Sequence, residues 1–170
     1  VSDDAWRYVE AFREVEAART RFLSDREAKR LVNACIEPFR SLVVAALMTG
    51  CRYGELIALR TSDYNVDAGT VHIRVSKSGK SRHVVLTDEG KKIFSRVAVG
   101  KDGNELLFTK ADNKAWGSCH QNRPMKDACE NGEISPAISF HILRHTYASR
   151  LVMKGVDLIV VAKQLGHSDT

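Results

Sequence analysis

The chain has 170 residues, enough for one domain with a sizeable core. At 44% hydrophobic and 28% charged it has the composition of an ordinary globular protein, and no apolar run is long enough to cross a bilayer. A net charge of +5 and a pI near 9.1 are compatible with a polyanionic partner.

Residues 1–20 have Trp6, Val9, Phe12 and Val15 at rough helical spacing and read as a linker or helical extension. The start VSDDAWRYVEAF is acidic and then amphipathic, unlike a signal peptide, so a cytoplasmic location is expected. The main domain is expected over 21–170. Ser24 with Glu27 forms a capping-box signature, followed by a stripe of Ala28, Leu31, Val32 and Cys35. PFRSLVVAALMTG (38–50) starts at a proline, stops at a glycine, and is predicted as the central core helix. CRYGELIAL then opens another helix with Arg52 at its start.

TVHIRVSK (70–77) and SRHVVLT (81–87) alternate apolar and polar residues across SGK, which predicts a β-hairpin with a basic tip. DEGKKIFSRVA is helical, 100–120 is loop-like, and a helix is expected around 119–130. SFHILRHTYASRLVMKG is a helix with Ser139 as expected cap and Gly155 as stop. DLIVVAKQLG is the last, capped by Asp157 and closed by Gly166. The fold class is therefore mainly α with a small antiparallel β-sheet (α+β).

Cys35, Cys51, Cys119 and Cys129 make no C-x-x-C pair, so neither a zinc site nor a disulfide framework is expected. On a helix, His141, Arg144 and His145 share one face, so His141 and Arg144 can reach one anion. The same pattern also suits an ordinary polar helix face. Tyr147 lies toward Leu143 and Leu151 and reads as core. Arg52 at a helix start opposes the macrodipole unless a phosphate binds there, with Glu55 holding it through an i,i+3 pair; a plain surface salt bridge is the alternative. Lys77, Lys80 and Arg82 at the hairpin are either phosphate contacts or solvated surface. His167 in QLGHSD is a hydrogen-bond donor or simply a helix C-cap.

Taken in order, TGCRYGELIAL, VSKSGKSRHVVL, FHILRHTYAS and LGHSD resemble the catalytic domain of tyrosine recombinases, the phage integrase family, over residues 21–170. The resemblance implies Arg52, Lys77, His141, Arg144 and His167 as catalytic residues and Glu55 as the supporting acid; the basic hairpin, with Lys80 and Arg82, is expected to contact DNA. Phe140 stands where the family often has a proline. The resemblance also implies double-stranded DNA as substrate, a 3′-phosphotyrosine intermediate, and neither cofactor nor metal. The family's homotetramer on DNA is implied for the full-length protein, with a monomer expected for this fragment. The attacking tyrosine would lie nine or ten residues beyond Leu-Gly-His, past Thr170, so the 170 residues alone are expected not to cut DNA. The weighed alternatives are a type IB topoisomerase, a non-catalytic DNA-binding protein on the same fold, and a phosphate-binding metabolic enzyme, for which no glycine-rich cradle is present.

Overall fold

The computed structural model describes residues 21–74 and 81–166. Seven helices and three short strands follow one another as α1 (Asp25–Ala34), α2 (Phe39–Thr49), α3 (Tyr53–Ile57), β1 (Tyr64–Asn65), β2 (Thr70–Ile73), β3 (Arg82–Val85), α4 (Asp88–Ala98), α5 (Asn122–Asn131), α6 (His141–Met153) and α7 (Leu158–Leu165). The α+β expectation holds. Among the described residues no helix is long and apolar enough to cross a membrane, and no group of three or more His, Cys, Asp or Glu side chains is placed to hold a metal ion.

Local chemistry sets most of the element ends. Ser24 accepts from the Glu27 N–H while Glu27 accepts from the Ser24 N–H, the reciprocal box that starts α1. Thr87 caps α4, and Asp157 caps α7 through the Ile159 N–H. The expected cap at Ser139 is not found. The chain enters α6 through Phe140, already in helical backbone geometry and without a side-chain cap. Its ring is instead packed edge-on against Phe39 and Tyr53, so aromatic burial fixes the entry.

The central position predicted for α2 is observed: Leu42, Val43, Ala45 and Ala46 are fully buried, and α1, α3, α4 and α6 pack around this helix. The sheet has the order β1-β2-β3, all antiparallel, with Val71 opposite Val84. β1 is an addition to the predicted hairpin. Val71, Ile73 and Val84 face the core, and β3 also touches α7.

α2 ends at Gly50 in the left-handed region, φ 65°. A Cβ there would stand 2.4 Å from Tyr147 Cδ1 and 2.8 Å from Leu165 Cδ2, so the tight approach of α6 and α7 requires glycine. Tyr147 itself is buried against Val161 and Leu165, in agreement with its expected core role. Gly50→Ala should lower unfolding free energy by roughly 2–4 kcal/mol in urea titration, from backbone strain plus overpacking. Gly54, inside α3 with nothing within 4 Å of a built Cβ, is the control. Gly54→Ala should be neutral or stabilising by up to about 1 kcal/mol.

Candidate active site

The break at Gly50 sends the chain through Cys51 into α3 with Arg52 at the N-cap, backbone extended. Glu55, one turn on, accepts the Arg52 N–H at 2.9 Å on Oε2 and pairs with Arg52 Nη1 at 3.0 Å through Oε1. The i,i+3 pair is present, but it is not a surface bridge. The Glu55 side chain is 5% exposed, whereas that of Arg52 is 30% exposed.

Arg144, in the first turn of α6, is 4% exposed. Its Nη1 donates to the Gly50 carbonyl at 2.9 Å and its Nη2 to the Leu165 carbonyl at 2.7 Å. These carbonyls lie at the C-terminal ends of α2 and α7, where helix geometry leaves acceptors without intrahelical donors and concentrates negative potential. One buried guanidinium therefore ties three helices together. Burial, then the like charges of Arg52 and Arg82, push its pKa down to about 10. At neutral pH it remains a cation.

His141 opens α6 and meets His145 edge-on, ring centroids 4.7 Å apart. Its pKa is lowered by burial first, then by His145, Arg144 and Arg52. An imidazole held neutral can accept a proton or donate one hydrogen bond. Arg52, His141 and Arg144 all line one open cleft of about 800 Å³, whose other wall includes Ser118, Gln121 and Lys126. Arg52 and Arg144, 92 positions apart in the chain, thus share a wall, as their expected common anion requires. The opposite wall had no distinctive sequence signal. Tyr53 steadies the cleft by donating from its hydroxyl to the Gly117 carbonyl at 2.9 Å.

Arg82 does not reach outward as expected. Its side chain is 7% exposed and faces inward. Nη1 and Nη2 grip the two oxygens of Glu55 at 3.0 and 2.7 Å, and Nε donates to the Gln164 carbonyl at 2.8 Å. The reason is the pleat: on β3, Arg82 shares a face with buried Val84, while His83 and Val85 point outward. The alternation that predicts the strand already assigns this face. Burial pushes the Glu55 carboxyl up, but hydrogen bonds from Arg82 and from the Arg52 N–H outweigh it and hold the pKa below the usual carboxylate range. Lys77, Lys80 and His167 lie outside the described residues.

Comparison with known proteins places this geometry. The family model described as the phage integrase family matches residues 21–170. The chain belongs to the phage integrase family. Among relatives of this integrase chain, tyrosine recombinase XerA of Saccharolobus solfataricus is 28% identical over 156 residues, covering 91% of this chain and 51% of the relative. A crystal structure of XerA recombinase superposes with a TM-score of 0.76 at 29% identity, covering 88% of this chain and 57% of that one. The Tn1549 transposon integrase, solved with circular intermediate DNA, shares the fold at a TM-score of 0.73 and 18% identity, over 88% of this chain and 60% of its own. The chain spans about half the length of the curated relatives it matches.

Both lowered pKa values make the integrase domain acid-sensitive. Because the folded state holds each proton less tightly than the unfolded state, the stabilisation is complete above the unfolded pKa and lost as pH falls. For His141 the loss begins below about 6.5, and for Glu55 below about 4.3. Urea midpoints measured against pH should fall in two stages on the acid side. Glu55→Gln should shrink the lower stage, leaving the share of Glu27, whose pKa is also lowered, and His141→Gln should remove the upper one; an unchanged profile in either variant would refute the corresponding assignment.

Proposed function

We propose that this chain is the catalytic segment of a tyrosine-type site-specific recombinase that cuts and rejoins double-stranded DNA through a 3′-phosphotyrosine. The observation that carries the reading is the shared cleft wall of Arg52 and Arg144. Membership of the integrase family and the net charge of +5 support it.

The chemistry follows from the residues. A phosphodiester carries one negative charge, and more develops on its oxygens as a tyrosine hydroxyl attacks phosphorus and the 5′-oxygen leaves. Two guanidiniums stabilise that charge without giving up protons. Arg144 is preorganised by its two carbonyl bonds, with its remaining N–H groups able to meet the phosphate. His141, held neutral, accepts the tyrosine proton or bonds a phosphate oxygen. Lys77 protonates the leaving oxygen, His167 donates a hydrogen bond to the phosphate, and Lys80 contacts the DNA backbone. A 5′-hydroxyl from a second strand reverses the first step, so the linkage energy is kept and neither nucleotide cofactor nor metal is required. Tyr53 lines the cleft but its hydroxyl is engaged by the Gly117 carbonyl, the Tyr64 hydroxyl is hydrogen-bonded to Ser95, and Tyr147 is packed into the core. The complete protein acts in the cytoplasm of a bacterial or phage-infected cell and assembles as a homotetramer on DNA.

The test is covalent trapping by the full-length protein on a nicked suicide duplex. Arg52→Ala should reduce adduct formation by roughly 10²–10³, the loss expected for a donor to a developing oxyanion, while duplex binding stays within a few fold. Arg144→Ala should lose the adduct as well, and its stability should drop by roughly 2–5 kcal/mol because two buried carbonyls lose their donor. Normal adduct formation in Arg52→Ala would overturn the site. Supercoil relaxation without strand exchange would replace recombination by a topoisomerase activity.

A further inference from the structure

Four charged side chains meet behind the cleft, and only three of them have the placement expected of this chemistry. Arg82 lines no part of the cleft wall, yet all three of its guanidinium nitrogens are engaged. It takes both oxygens of Glu55 in a fork-to-fork pair, it donates to Gln164 near the end of α7, and its Nη2 lies 3.9 Å from the Cys51 sulfur. A second observation shows how closely this placement is built. Gly166, the left-handed cap of α7 at φ 72°, would put a Cβ only 2.9 Å from Arg82 Nη1 and 3.0 Å from Cδ. The end of α7 therefore has a shape that admits this guanidinium and no side chain at 166.

We propose that Arg82 is a positioning residue that keeps Glu55 from neutralising Arg52 and anchors the end of α7 beside the site. This rests on the recombinase reading and deepens it. Glu55 is needed twice: it caps the Arg52 N–H and it holds the Arg52 side chain. A buried carboxylate with Arg52 as sole partner would form a closed pair with it, drawing the guanidinium from the cleft and cancelling its field. With Arg82 filling both oxygens through a bidentate pair, Glu55 remains a hinge for Arg52 while its charge is satisfied elsewhere. The bond to Gln164 extends the same control to α7. That helix ends at Leu165, so Arg82 fixes where the chain leaves α7.

The experiment compares the unaltered full-length protein with Arg82→Met, Arg82→Lys and the double variant Arg82→Met with Glu55→Gln. Adduct formation is measured at saturating suicide duplex, with the duplex dissociation constant and thermal unfolding measured in parallel. Arg82→Met should slow adduct formation roughly 10- to 100-fold with little change in binding, the range found when a partner that orients a reacting group is lost. The double variant, with no carboxylate left to capture Arg52, should be faster than Arg82→Met, regaining the part of the rate lost to that capture but not the part lost with the Gln164 bond. Arg82→Lys keeps a charge on Glu55 but not the fork or the Gln164 bond, and should fall between. A rate in Arg82→Met equal to that of the unaltered protein would overturn the proposal, as would a double variant no faster than the single one. Should Arg82→Met fail to fold, Arg82→Lys decides: a rate equal to that of the unaltered protein would overturn the proposal. Absence of adduct in the unaltered protein would count against the recombinase reading instead. Carbon-13 NMR titration of Glu55 then tests Arg82 directly. Its carboxyl should titrate higher in Arg82→Met, and an unchanged titration would overturn the role.

Discussion

Three guanidiniums and one carboxylate, set in or behind a single cleft wall, impose the constraint on which the site depends. Burying a charge is costly unless each group finds partners, and here the partners are unequal. Arg82 and Glu55 satisfy each other. Arg144 donates to two carbonyl dipoles, which carry no net charge to cancel its own. Arg52 shares Glu55 and stays partly exposed. Positive charge therefore remains uncompensated at the cleft; burial first, and the neighbouring cations after it, lower the pKa values of Arg144 and His141. An anion entering the cleft relieves that repulsion.

The fold supplies this arrangement through helix ends more than through helix faces. α2 stops at Gly50, which presents its carbonyl to Arg144 and turns the chain so that Arg52 starts α3. α7 stops at Gly166, with the neighbouring Leu165 and Gln164 carbonyls accepting from Arg144 and Arg82. Both glycines adopt left-handed geometry and both lie where a Cβ would strike a packed side chain. Orphan carbonyls at helix termini, ordinarily left to water, become the seats of the cations. The apolar packing around α2 makes these termini rigid enough to hold them.

Much of this was legible in the sequence because the relevant signals were local. Ser24 with Glu27, Asp157, Gly50 and Gly166 mark helix boundaries by side-chain chemistry that acts within one turn. The hairpin was visible in the alternation of 70–77 and 81–87, whereas the two-residue β1 was too short to carry a period. Ser139 was the wrong cap because a nonlocal event, the burial of Phe140 between Phe39 and Tyr53, fixes the start of α6. Arg82 was misassigned for a different reason. Counting charge at the hairpin groups it with Lys77 and Lys80, but its position in the pleat groups it with Val84. The triad of Arg52, His141 and Arg144 could be named from motif order, while the wall formed by Ser118, Gln121 and Lys126 arises only from tertiary packing.

The central claim is that Arg52 acts on the charge of one scissile phosphate. It is tested most directly by replacing that phosphate with a methylphosphonate, which removes a nonbridging anionic oxygen, and measuring adduct formation with the unaltered full-length protein and with Arg52→Ala. The account predicts that the two react at nearly the same rate on the neutral linkage, because no anion remains for the guanidinium to stabilise. If Arg52→Ala were as impaired on methylphosphonate as on ordinary DNA, the cationic cleft would not be acting on phosphate charge, and the account would be contradicted.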